Sequence, residues 1–147
     1  MGKNVVIGCD PDSKAHGVAV YMDGRLIELR SFELLELQQY IEQDCCGSNS
    51  IELHIENVCG VSAAFNARDR KTNLNVKLKI AQHIGMCKQA QVEVERMAEA
   101  NGVKVVKHKI SKMWKKDKAQ FEKVTGWSGH SNEDTRSASW FGYLGCK

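Results

Sequence analysis

Three short segments near the start of the chain constrain its fold more than anything else in the sequence. Val5-Val6-Ile7-Gly8-Cys9 is an unbroken apolar run. Residues 16–22 bring Val18, Val20 and Met22 to one side, and residues 25–32 alternate Leu26, Glu28 and Arg30 with Ile27, Leu29 and Ser31. Short runs of this kind, bounded by turn formers, are strands rather than helices. Only Asp23-Gly24 separates the second segment from the third. That dipeptide is a strong hairpin signal, because a two-residue turn needs positive φ at both central positions. The chain therefore opens as three sequential strands, predicted to be antiparallel, whose apolar faces need covering by further elements.

The rest of the sequence supplies that cover. Leu34, Leu35, Leu37 and Ile41, with Glu and Gln between them, predict a short amphipathic helix ending near Gly47. Ile51, Leu53 and Ile55 alternate with Glu52, His54 and Glu56 in a fourth strand, and residues 57–73 are polar and small without a period. Residues 74–100 read as a long helix stopped by Asn101-Gly102, with Ile80, Ile84, Cys87 and Met97 available for burial. Residues 103–106 form a fifth strand, the basic stretch from 111 is helical or loop-like, and 131–144 are a last helix. The sum is one α/β domain over residues 1–147, a five-stranded mixed sheet flanked by helices.

Composition narrows the function classes. A chain of 147 residues, 42% hydrophobic and 27% charged, is ordinary for a single globular domain and unlike a disordered or low-complexity one. No apolar run approaches the roughly 18–20 residues that cross a bilayer, which predicts no membrane partner and an intracellular protein. Six cysteines occur without any Cys-x-x-Cys pair, so they read as reduced thiols acting as small apolar side chains rather than as a zinc module. The net charge of +3 conceals a division. From Val103 onward there are ten Lys and Arg against four Asp and Glu; before it, eleven against fourteen. Lys104, Lys107, Lys109, Lys112, Lys115, Lys116 and Lys118 crowd together, and such a patch can neutralise phosphates.

Asp10 follows the first strand and Glu56 ends the fourth. If those strands pair in parallel, the two carboxylates meet at one end of the sheet, and paired carboxylates are ligands for Mg²⁺ or Mn²⁺. Pro11, the sole proline, fixes the backbone directly after Asp10.

The wording around these residues resembles the RuvC-type Holliday junction resolvases. Gly8-Cys9-Asp10-Pro11-Asp12-Ser13 is similar to that family's opening Gly-Ile-Asp-Pro-Gly-Ser, and Ile55-Glu56-Asn57-Val58 to its Ile-Glu-Gln-Val. Lys107 and Lys118-Ala119-Gln120 resemble its basic stretch, and Asn132-Glu133-Asp134-Thr135 falls where an aspartate opens its last helix. The four motifs occur in family order, with unmatched stretches between them. The resemblance implies an RNase H-like fold and a metal-dependent, homodimeric endonuclease that resolves four-way DNA junctions by paired symmetric cuts. It implies Asp10, Glu56 and Asp134 as ligands of two Mg²⁺ or Mn²⁺ ions, with Asp10 central, and Lys118 at the scissile phosphate. It also implies a home in the cytoplasm of a bacterium or a phage-infected cell.

The departures define the open points. Asp12 stands where the family has glycine, either tuning metal binding or capping the turn. Three positions before Asp134 the family carries an acidic residue or histidine, whereas this chain has Ser131. Glu133 is the preferred substitute and His130 the other. Ser131 to Asp134 also fits a helix-capping box, which leaves Asp134 two roles. Lys107, Lys109, Lys112 and Lys116 are candidate DNA contacts. So are Arg68, Arg70 and Phe65 in the longer segment before the long helix, where Phe65 either wedges between bases or packs on the core. Trp114 among the lysines reads as a packing residue. Two other functions remain open at this level: a nuclease of the same fold for RNA or other branched DNA, and a branched-nucleic-acid binding protein without catalysis.

Overall fold

A computed structural model describes residues 2–60 and 73–147. Five strands, β1 (Asn4–Asp10), β2 (His16–Met22), β3 (Arg25–Phe32), β4 (Ser50–Glu56) and β5 (Lys104–His108), form one sheet in the order β3-β2-β1-β4-β5. β1–β2 and β2–β3 are antiparallel, while β1–β4 and β4–β5 are parallel. The hairpin falls at the predicted dipeptide. Asp23 and Gly24 both take positive φ, 50° and 82°, the turn whose twist matches the flanking strands. Four helices complete the described chain: α1 (Leu34–Asp44), α2 (Leu74–Ala100), α3 (Lys118–Thr125) and α4 (Glu133–Cys146). None of these is long and apolar enough to cross a membrane. Phe65, Arg68 and Arg70 lie outside the described residues.

The two-residue period of the strands divides the sheet into two faces. Val5, Ile7, Cys9, Val18, Val20, Leu53 and Ile55 point to one side, against Leu37 and Ile41 of α1 and Val94, Met97 and Ala98 of α2. The other face packs on α4, with Ala19 and Tyr21 against Ala138 and Tyr143. Two glycines let α4 approach the strand backbones. A Cβ on Gly8 would overlap the Ala138 carbonyl oxygen, and one on Gly17 would overlap that of Asp134.

Two expectations change. Ile80 of α2 is exposed rather than buried, because the buried positions of α2 start at Cys87 and continue through Gln91, Val94, Met97 and Ala98. α4 begins at Glu133, not at 131, because Asn132 and Thr135 make the capping box. The Asn132 side chain accepts from the Thr135 N–H, and the Thr135 hydroxyl accepts from the Asn132 N–H, both at 2.9 Å. Asp134 is thereby released from the capping duty that the sequence left open. All six cysteines are unpaired; Cys9 and Cys45 fill the core, and Cys87 is buried on α2.

Candidate active site

Asp10 and Glu56 occupy the last residues of β1 and β4, strands paired in parallel with Cys9 opposite Ile55. Cys9 and Ile55 face α1 and α2, so by alternation the next residue of each strand turns toward α4. Both carboxylates are nearly covered, at 7% and 8% exposure. Burial raises the Asp10 pKa from 3.8 to about 6, reinforced by Asp134 and Asp12 and opposed by Lys115 and Ser137. Burial, then Asp10, raises Glu56 from 4.5 to about 7, with Lys115 and a Ser111 backbone hydrogen bond opposing and Asp134 adding a smaller rise. Two buried carboxyls whose charged forms are disfavoured, Glu56 partly by the charge of Asp10, favour a nearby cation. Asp10 Oδ2 is buried without a hydrogen-bond partner, and so is Ser137 Oγ nearby.

Asp134 sits in the first turn of α4, exposed, and its charge acts on both strand-end carboxylates. Its position follows from packing: the Gly17 backbone, opposite Asp10 in the β1–β2 ladder, lies directly under the Asp134 peptide. Glu133 stands apart, exposed and 3.6 Å from Lys116 Nζ. His130 is exposed and contributes its carbonyl to the Trp127 indole N–H at 3.1 Å.

The cation at the carboxylates is Lys115, whose Nζ lies 3.6 Å from Asp10 Oδ2. Lys118 instead opens α3 in an exposed position, and the preceding Asp117 caps that helix. Lys115 is aimed by the backbone. Trp114 takes φ 66°, a left-handed conformation that bulky residues avoid. Its ring, 3% exposed, is wedged among Phe121, Trp140 and Tyr143 with centroids 5.2 to 5.7 Å away. Packing is therefore the role of Trp114. From α4, buried Arg136 donates to the Trp114 carbonyl at 3.1 Å and to the Lys115 carbonyl at 2.7 Å. The same guanidinium reaches Ser131 Oγ at 3.1 Å.

The segment after Glu56 is held as firmly. Fully buried Gln91 of α2 accepts from the Cys59 N–H at 2.9 Å and donates to Asn57 Oδ1 at 3.1 Å. The Asn57 N–H donates to the His108 carbonyl at 2.7 Å. Among the other predicted DNA contacts, Lys107 projects from β5 with Nζ 3.7 Å from Glu95, and Lys109, Lys112 and Lys116 are exposed.

Sequence reasoning passed over Lys115 as one member of a patch and did not single out Arg136 or Ser137. For Lys115 no local signal exists, because its aim depends on a strained neighbour and on a side chain from α4. Ser137 had one: it lies three residues after Asp134, and that spacing places both on one side of a helix.

No family model and no curated protein matches the sequence. Solved structures do. The chain is similar to RuvC of Thermus thermophilus in complex with a Holliday junction substrate, with a TM-score of 0.60 and 15% identity over 95% of this chain and 90% of that one. A second Thermus thermophilus RuvC structure matches with a TM-score of 0.56 and 14% identity, covering 95% of this chain and 91% of that one. The five-stranded mixed sheet and its helices are the RNase H-like fold shared with RuvC.

Proposed function

We propose that this protein is a divalent-metal-dependent endonuclease that resolves four-way DNA junctions. One observation carries the reading: two buried carboxylates with raised pKa values close neighbouring parallel strands of an RNase H-like sheet, with Lys115 3.6 Å from Asp10 and the charge of Asp134 acting on both. The donors Asp10, Glu56 and Asp134 are all hard oxygens, and Asp10 Oδ2, which has the Lys115 ammonium nearby but no hydrogen-bond partner, suits Mg²⁺ or Mn²⁺. Two such ions, once bound, would supply an activated water and charge stabilisation for the departing oxygen.

The chain's own residues do the rest. Asp10 and Glu56 would hold such cations as carboxylates, giving up any proton they still carry. Lys115 offsets one negative charge in a cleft that must admit a phosphodiester anion, a role the sequence reading gave to Lys118. Arg136 positions Lys115 by gripping its carbonyl. The lysines at 107, 109, 112 and 116 contact flanking phosphates. Leu74, Leu78, Ile80 and Met86 of α2 are exposed, and this apolar run supports association with a second copy, as paired symmetric cuts require.

The deciding experiment gives purified protein and Mg²⁺ or Mn²⁺ a synthetic four-way junction, a linear duplex of the same sequence and a matched RNA duplex. Paired symmetric nicks confined to the junction are expected. Equal cutting of the linear duplex, or preference for RNA, would replace the junction assignment. Binding without cutting would remove the catalytic one.

A further inference from the structure

Electrostatically coupled to the strand-end carboxylates, a group of three metal-ligating side chains draws on none of Asp10, Glu56 and Asp134. Asp12, in the turn after β1, meets His83 and Cys87 of α2, with one donor atom from each lying within 4.8 Å of the others. Cys87 Sγ is 3.6 Å from His83 Nε2 and 3.9 Å from Asp12 Oδ1. A tetrahedral zinc ion, with bonds of about 2.3 Å to sulfur and about 2.0–2.1 Å to nitrogen and oxygen, holds such donors roughly 3.5 Å apart. The two sulfur pairs reach that spacing with a contraction of a few tenths of an ångström, and the Asp12–His83 pair starts from within 4.8 Å.

The donors are also pre-oriented. His83 and Cys87 stand one helical turn apart and project from the same side of α2. Asp12 Oδ1 is held by the Ser13 N–H at 2.6 Å and the Ser13 hydroxyl at 3.2 Å, and the Asp12 N–H donates to His16 Nδ1 at 3.2 Å. One thiolate, one imidazole and one carboxylate form a borderline-soft set, which zinc favours and Mg²⁺ does not.

We propose that Asp12, His83 and Cys87 bind one zinc ion, with ligands distinct from Asp10, Glu56 and Asp134, and so fasten α2 to the turn that follows Asp10. Binding replaces the Cys87 S–H bond with a zinc–sulfur bond and releases that proton to solvent. The fourth position is left to water. Absence of a Cys-x-x-Cys pair does not bear on this site, because its ligands come from two elements and three residue types.

Cobalt(II) is the probe. Chelator-stripped protein titrated with Co²⁺ in excess Mg²⁺ should develop a near-ultraviolet thiolate-to-cobalt band and intense visible bands of a four-coordinate ion, and one equivalent of Zn²⁺ should bleach both. Cys87→Ser should abolish the near-ultraviolet band. His83→Ala, at an exposed position that does not disturb the core, should weaken Zn²⁺ binding by roughly tenfold or more. Asp10→Asn should leave the spectrum in place. A weak six-coordinate spectrum, a thiolate band that survives Cys87→Ser, or its loss in Asp10→Asn would overturn the proposal.

Discussion

Replacing Asp10 by Asn should stabilise the metal-free protein while it abolishes cleavage. Asp10 is 7% exposed, and burial lifts its pKa from 3.8 to about 6 despite the attraction of Lys115. A group whose folded pKa exceeds its unfolded one keeps its proton longer in the folded state. Stability therefore falls as pH rises from about 4 to about 6 and is level above that window. At about 1.4 kcal/mol for each tenfold change in acidity, the ionised carboxylate costs the apo protein about 3 kcal/mol at pH 7.5. Asn has the same shape and no charge, and its neutrality also relieves Glu56, whose own rise owes its second-largest part to Asp10. A gain of about 2–3 kcal/mol corresponds to a Tm higher by roughly 4–12 °C in a chain of this size. The assay is thermal melting of both proteins in chelator at pH 7.5 and at pH 4.5. The variant should melt higher at pH 7.5, and the difference should shrink at pH 4.5, where wild-type Asp10 is protonated. Mg²⁺ should then raise the wild-type Tm at pH 7.5 by more than it raises the variant's. A variant that melts at or below wild type in chelator at pH 7.5, or a gain unchanged at pH 4.5, would refute the reasoning.

Three further outcomes test the rest of the site. Lys115→Ala should reduce junction cleavage by roughly 10–100-fold with the fold intact by circular dichroism, while Lys118→Ala should cost far less; the reverse order in initial rates would return the role to Lys118. Gly17→Ala forces a methyl into the Asp134 peptide and should cost about 1–3 kcal/mol in denaturant unfolding together with loss of cleavage, whereas an active variant of normal stability would mean that α4 does not lie as close as described. Leu78→Glu, at a position 52% exposed, should convert the proposed dimer to a monomer in sedimentation without lowering the Tm; a wild type that sediments as a monomer would remove the dimer, and a dimer unchanged in the variant would remove α2 as its interface.

Much of the sheet was legible because its signals are local. Alternation marks the strands, and Asp23-Gly24 forms the turn its residue types require. Asp10 and Glu56 were readable as a pair because each closes a strand whose apolar face is unambiguous. The rest of the site depends on contacts distant in sequence. Lys115 was hidden in a run of lysines, since its direction comes from the left-handed Trp114 and the reach of Arg136 across from α4. The capping box lies one residue later than the sequence suggested, because Asn132 and Thr135 can satisfy each other as well as Ser131 and Asp134 could. The exposed half of α2 escaped periodicity analysis for a different reason. Ile80 keeps helical spacing with Ile84 and Cys87, and spacing alone does not say where along a long helix the supporting sheet ends.

The close seating of α4 over Gly8 and Gly17 ties completion of the candidate site to the docking of one helix. Asp10 and Glu56 belong to neighbouring strands, but Asp134, Arg136 and Ser137 arrive together on α4, the last element in the described chain. Any state with a formed sheet and an undocked α4 would lack both Asp134 and the grip on Lys115. Contacts between elements so far apart in sequence carry a larger loop-closure entropy cost than local ones. If the proposed function holds, docking of this one helix completes the site, and a molecule with α4 undocked would not cut nucleic acid.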